Sequence, residues 1–162
     1  MTPLRSSMVL WLFLVASPSP ALQSGDELTP SETVEKFSES GHEEKANYVI
    51  TSKGDWKRLW KIVHSVRSPR PALPRIDFSE RMVIAVFDGE QGDSRNSISI
   101  TKLIRSDDAL HVFVKETAGS PLCPPGPPVT VQPYHIIQTE RIKKPSKNVF
   151  FEDAEQEMQK CP

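Results

Sequence analysis

Proline constrains the fold of this chain more than any other residue type. It occurs 15 times in 162 residues, roughly twice its average usage. Because proline breaks helix interiors and is excluded from central strands, an all-helical bundle is disfavoured. Eight prolines form two clusters, which predicts two stiff connectors between regular elements. They are Pro69, Pro71 and Pro74 in the first cluster, and Pro121, Pro124, Pro125, Pro127 and Pro128 in the second.

Length, charge and cysteine content narrow the class of protein. A chain of 162 residues fits one domain of ordinary size. A formal net charge of −1 argues against a general nucleic-acid binder, which would carry a basic excess. Two cysteines cannot build a disulfide-rich mini-protein or a four-cysteine zinc site.

The first 21 residues have the organisation of a secretory signal peptide. Arg5 supplies the positive charge, and residues 8–16 form an apolar run that is too short to span a bilayer as a mature helix. Small residues at Ser19 and Ala21 predict cleavage after Ala21, or a few residues later. We therefore expect export to a periplasm, a cell surface or the medium, with no transmembrane segment after cleavage.

Three further regions follow the signal peptide. Residues 22–46 are acidic and sparse in apolar side chains, which predicts a flexible leader, with a short helix over residues 30–36 as an alternative. Residues 47–151 contain the ordered domain. Residues 152–162 form an acidic tail that we expect to be helical or irregular.

One amphipathic helix is predicted near the start of the domain, over residues 53–66. Ser52 can cap its first turn, with Asp55 three residues later. Trp56, Leu59, Trp60 and Val63 recur at helical spacing, so they lie on one apolar stripe. The helix is expected to end before Pro69.

Strands dominate the rest of the domain. They are predicted at residues 47–51, 82–87, 97–104, 109–115, 129–138 and 147–151, the third and fourth forming an antiparallel hairpin. Adjacent Leu103 and Ile104 indicate a bulge or strand end, and Pro133 assigns the first half of the fifth strand to an edge or bulge. The predicted fold class is α+β: a mostly antiparallel sheet of about six strands, curled or two-layered, with one helix against it.

Export places the two cysteines in an oxidising compartment. A disulfide between Cys123 and Cys161 is then the default, and it would attach the tail to the second proline cluster. Free thiols or an intermolecular link are the alternatives.

No catalytic motif is evident. The chain lacks Gly-x-Ser-x-Gly and any glycine-rich phosphate loop, and its histidines lack metal-ligand spacing. Asp77 and Asp88 flank strand ends, where turns favour aspartate. We therefore predict no catalytic residue, metal or cofactor, and a protein that is not an enzyme. His111 and His135, on separate strands, leave a cryptic metal-dependent hydrolase as an alternative.

Residues 53–82 are strongly basic, with eight basic residues against three acidic ones. A solvated face is the simplest interpretation, and the alternatives are attraction of the acidic leader or of an acidic partner to this region. The basic residues are Lys53, Lys57, Arg58, Lys61, Arg67, Arg70, Arg75 and Arg81.

The order of motifs resembles the PrcB C-terminal domain family, named after an accessory subunit of a bacterial surface protease complex. The resemblance covers about residues 47–151 and lies in W-x-x-L-W at Trp56, P-x-I-D-F at Pro74, V-I-A at Val83 and P-Y at Pro133. It departs from the family pattern in the loop at residues 92–97. The resemblance implies an exported, non-catalytic protein and a structural core containing Trp56, Trp60, Phe78 and Ile84.

The sequence thus predicts an exported protein-interaction domain, an accessory or chaperone-like factor for a secreted protease or another surface protein. The partner is expected to be a protein, with no nucleic acid involved. A protease inhibitor that acts through the proline-rich loop at residues 118–128 is the main alternative. The oligomeric state is not indicated.

Overall fold

The computed structural model describes residues 27–29, 31–106, 109–120, 122, 129–143, 145–154 and 157–158. The described part consists mainly of strands, with one three-turn helix, and so confirms the α+β class. The elements are β1 (Glu27–Leu28), β2 (Ser31–Phe37), β3 (Lys45–Ile50), α1 (Lys53–Val63), β4 (Arg81–Asp88), β5 (Ser97–Ser106), β6 (Ala109–Ala118), β7 (Tyr134–Glu140), α2 (Pro145–Asn148), β8 (Val149–Asp153) and β9 (Glu157–Met158).

The strands form two sheets. The first, here the helix-side sheet, has the order β2-β7-β4-β3 and is antiparallel throughout. The second, here the outer sheet, has the order β1-β5-β6-β8, and β9 also pairs with β6. The hairpin β5–β6 is antiparallel as predicted, whereas β8 and β9 run parallel to β6. The arrangement therefore differs from the predicted sheet of about six strands.

β4 lies at the centre of the molecule because both of its faces are covered. Met82, Ile84 and Val86 face the outer sheet, where they pack with buried residues of β5 and β6. Val83, Ala85 and Phe87 face α1 and join a second core with its tryptophans. This arrangement accounts for the uninterrupted apolar run in the sequence.

Helix α1 begins where the sequence predicts and ends three residues earlier. The Ser52 hydroxyl accepts a hydrogen bond from the Asp55 backbone N–H at 3.1 Å. Trp56, Leu59, Trp60 and Val63 are all buried, as their spacing predicts. Of the four expected core residues, Trp56, Trp60 and Ile84 are buried, whereas Phe78 is only partly buried at the margin of the helix-side core.

The prediction of a flexible leader is wrong for residues 31–46. Residues 31–37 form β2, an edge strand paired with β7, and the alternative of a short helix there is wrong as well. The next residues pack under the end of α1, where the Gly41 N–H donates to the Val63 carbonyl at 2.9 Å. The physical reason is that β7 offers an unpaired edge, which a segment with only one partly buried apolar residue, Val34, can still cover.

Several element boundaries also differ from the prediction. β3 begins at Lys45, and β7 begins directly after Pro133. The first half of the predicted fifth strand therefore lies outside β7, where Val131 forms an isolated bridge with Gln91. The bulge in the hairpin lies between Ile100 and Lys102, not at Leu103 and Ile104. The last strands, β8 and β9, occupy part of the segment predicted as a helical or irregular tail.

Some predictions fall outside the described residues. They concern the signal peptide at residues 1–21, the disulfide between Cys123 and Cys161, and the second proline cluster. Over the part of the chain that the structure describes, no helix has the length and apolar character needed to cross a membrane.

Candidate docking groove on helix α1

An apolar groove runs between α1 and residues 70–78, which connect the helix to β4. It consists of two adjoining cavities of about 410 and 280 Å³. Leu73 lines both cavities, Trp56 lines the larger and Trp60 the smaller. Pro74, Ile76 and Phe78 complete the apolar lining of the larger cavity, and Pro71 that of the smaller.

Two hydrogen bonds hold the connector against the helix. The indole Nε1–H of Trp56 donates to the Pro74 carbonyl at 3.1 Å, and that of Trp60 donates to the Pro71 carbonyl at 3.1 Å. The connector therefore runs antiparallel to α1. Proline fixes the backbone angle φ, so the groove has a stiff wall that requires little ordering when a ligand binds.

The rim of the groove is positively charged on both sides. Lys53, Lys57 and Lys61 follow one another at helical i, i+4 spacing along α1, while Arg70 and Arg75 project from the connector. All five side chains are exposed, and none forms an ion pair with another residue in the described part of the chain. By contrast Arg58, on the same helix, pairs with Asp55.

The predicted attraction between the leader and the basic region occurs at the end of α1, away from this rim. The Glu35 carboxylate of β2 accepts a hydrogen bond from Arg67 at 3.1 Å and lies 2.9 Å from His64 Nε2. Burial lowers the pKa of His64 against the opposing effect of Glu35. The cation of Arg67 also lies over the Phe37 ring. The leader thus engages Arg67 and leaves the five rim cations without a carboxylate partner among the described residues.

The two histidines considered for a metal-dependent hydrolase do not meet. His135 lies on the face of β7 toward the outer sheet, where its Nδ1 accepts the Ile100 backbone N–H at 2.9 Å. His111 alternates with the inward-facing residues of β6, so it lies on the opposite face of the outer sheet, paired with Glu152 and stacked on Phe150. The described residues contain no group of three or more metal ligands.

The two aspartates at strand ends also have separate local roles. The Asp77 carboxylate accepts hydrogen bonds from the Ser79 N–H and hydroxyl and so caps the turn before β4. Asp88 is buried at the end of β4, 4.0 Å from Lys45, which in turn contacts Glu116 at 2.6 Å. Burial, reinforced by Glu116 and opposed by Lys45, raises the pKa of Asp88 to about 6.

The sequence indicates some features of the groove but not its cavities. The basic excess of residues 53–82 and the first proline cluster both belong to it, but neither indicates that Leu73 and Ile76 line a cavity. The hydrogen bonds from the tryptophans to the connector are not encoded in any local pattern. No family model, curated protein or solved structure matches the chain.

Proposed function

We propose that this protein is an exported, non-catalytic protein-interaction domain that acts as an accessory or chaperone-like factor for a secreted protease or another surface protein. The groove on α1 is the observation that carries the proposal. It combines an apolar floor with five exposed cations, and such a surface is suited to recognising a partner of complementary charge.

Two features of the sequence support the same proposal. The apolar segment at residues 8–16, with Arg5 before it, favours export. The order of motifs over residues 47–151 resembles the PrcB C-terminal domain family, although no family model matches the chain, and by analogy it favours an accessory role beside a protease without specifying the partner.

Site-specific crosslinking tests the proposal in the exported fraction of a producing cell. A photoreactive amino acid at position 73 should give a discrete adduct with a protein, whereas one at the exposed position 147 should not. The adduct at position 73 should disappear in the Lys57→Glu/Lys61→Glu variant. Equal labelling from both positions, or no adduct at position 73, would remove the support for a groove-mediated function.

A protease inhibitor is the second candidate function. The observation that favours it is Leu122, whose side chain is 89% exposed next to the second proline cluster. An exposed apolar side chain in a proline-rich segment is suited to entering the specificity pocket of a protease. Measured against a panel of secreted proteases, Leu122→Asp should abolish inhibition, and a panel without any inhibited member would eliminate this candidate.

A further inference from the structure

We infer that the groove on α1 binds an acidic segment of a partner protein that inserts two apolar side chains, one into each cavity. The inference deepens the proposed function and rests on it. It specifies the chemistry and spacing that a partner must carry, which the proposed function leaves open.

The spacing follows from the helix. The two cavities are adjacent to Trp56 and Trp60, which lie four residues apart on α1, a separation of about 6 Å along the helix axis. In an extended peptide, side chains at i and i+2 point the same way and lie about 6.7 Å apart. An extended segment with alternate apolar residues therefore matches the two cavities, with Leu73 between the two inserted side chains.

The charge of the partner follows from the rim. Lys53, Lys57 and Lys61 stand on one side of the cavities, and Arg70 and Arg75 on the other. Residues that separate or flank the apolar anchors of a bound segment would lie near these cations, so carboxylates are favoured at those positions. Because the cations are exposed, their contribution should fall as salt is added.

The floor of the groove favours a peptide over a nucleic acid. Single-stranded nucleic acids bind by stacking bases on exposed aromatic faces. Here the exposed fractions of Trp56 and Trp60 are only 1% and 5%, and both indole N–H groups are already bonded to the connector. The two cavities share only Leu73 in their lining, and this arrangement suits two discrete side chains better than a continuous acyl chain.

Fluorescence anisotropy with labelled peptides tests the inference directly. The first peptide carries two leucines separated by one aspartate within an aspartate-rich sequence. In the second, one leucine is replaced by serine, and in the third the aspartates are replaced by lysines. We expect only the first to bind well: losing one buried leucine should weaken binding at least tenfold, and the lysine peptide should not bind.

Matched protein variants locate the binding. Lys57→Glu/Lys61→Glu should weaken binding of the first peptide at least tenfold, as should Leu73→Asp. The control Lys143→Glu/Lys147→Glu, also at exposed positions, should leave binding unchanged. Far-UV circular dichroism and thermal unfolding of each variant verify folding, and the lysine variants provide the decisive comparison if Leu73→Asp fails to fold.

Failure of the first peptide to bind would overturn the inference, and so would three other outcomes. They are equal affinity for the one-leucine and two-leucine peptides, equal loss of affinity in the control variant, and groove-dependent binding of phosphatidylglycerol vesicles or an oligonucleotide in preference to the peptide. If the peptides fail while the crosslink at position 73 persists, the inference is wrong and the proposed function stands. If both fail, the proposed function is wrong too.

Discussion

At the scale of single residues, two buried titratable side chains, His135 and Asp88, have opposite effects on how stability changes with pH. Burial, and then the positive charge of Lys36, lowers the pKa of His135 to about 4, while burial raises that of Asp88 to about 6. Between about pH 4 and 6.5 the unfolded chain binds the His135 proton more tightly, so His135 makes the free energy of unfolding rise with pH. Between about pH 3.8 and 6 the folded chain binds the Asp88 proton more tightly, so Asp88 makes the free energy of unfolding fall as pH rises.

Removing either group should reveal the pH dependence of stability that the other group contributes. In Asp88→Asn, the free energy of unfolding should rise more steeply with pH between 4 and 6 than in the wild type. In His135→Gln it should rise less steeply or fall. Each change of slope is at most about 1.4 kcal/mol per pH unit. Urea unfolding at pH 4, 5, 6 and 7 measures both slopes, and identical slopes in all three proteins would contradict the assignment.

Gly41 is required by a close approach of the leader to α1. A Cβ at this position would lie 2.5 Å from the Ile62 backbone carbonyl and would also clash with the Ser65 side chain. Gly41→Ala should therefore destabilise the fold by about 1–3 kcal/mol. Gly92→Ala is the matched control, because a Cβ added there would meet nothing within 4 Å beyond its chain neighbours. Chemical denaturation of both variants measures the difference, and an equal effect would argue against the close approach.

At the scale of elements, local pattern explains which parts of the fold the sequence predicts. α1 and β4 carry their own signals, a helical stripe of Trp56 and Trp60 and an uninterrupted apolar run. The sequence therefore predicts β4 to within one residue at each end, and it predicts the start of α1 but places its end three residues too late. β2 carries none, because an edge strand with one partly buried apolar residue resembles a linker. Its conformation is imposed by pairing with β7, a contact with residues about 100 positions away. The sequence also does not predict that the connector lies against α1, because this placement depends on hydrogen bonds from Trp56 and Trp60 to carbonyls 18 and 11 positions away and not on a local pattern.

Strand β2 and the turn after it should therefore be part of the folding unit. A chain that starts at residue 47, where the sequence placed the domain boundary, would leave the edge of β7 unpaired and lose the contact of Gly41 with α1. We expect a markedly lower melting temperature and a tendency to aggregate. A chain that starts at residue 27 is the control and should melt like the full chain, whereas equal melting of both truncated chains would show that β2 is dispensable.

The attachment of the connector to α1 can be tested by removing one hydrogen bond. Trp56→Phe removes the donor to the Pro74 carbonyl, a loss that by itself should cost about 1 kcal/mol, and the smaller ring also loses packing in the core under α1. The connector should then open locally more often, and trypsin should cleave faster after Arg75. Timed digestion followed by mass spectrometry measures the cleavage. Cleavage after Arg81, at the start of the paired strand β4, serves as the internal control and should not accelerate to the same extent.

At the scale of the whole molecule, β4 and β7 join two cores into one cooperative unit. Met82, Ile84, Val86 and Ile137 belong to the core between the sheets, and their strand neighbours Val83, Ala85 and Ile136 belong to the core under α1. Each core thus depends on strands that also form the other. Loss of packing on one face of β4 and β7 should therefore also destabilise elements that contact only the opposite face.

Ile84→Ala tests this coupling from the side away from α1. The truncation should cost about 2–5 kcal/mol, whereas Ile62→Ala, at an exposed position of α1, should change stability by about 0.5 kcal/mol or less. Because the cores share β4, hydrogen exchange in Ile84→Ala should lose protection to the same extent in α1 and in β6, although Ile84 belongs to the core between the sheets. Loss of protection in β5 and β6 with α1 unchanged would mean that the two cores unfold separately, and the groove on α1 would then be independent of the outer sheet.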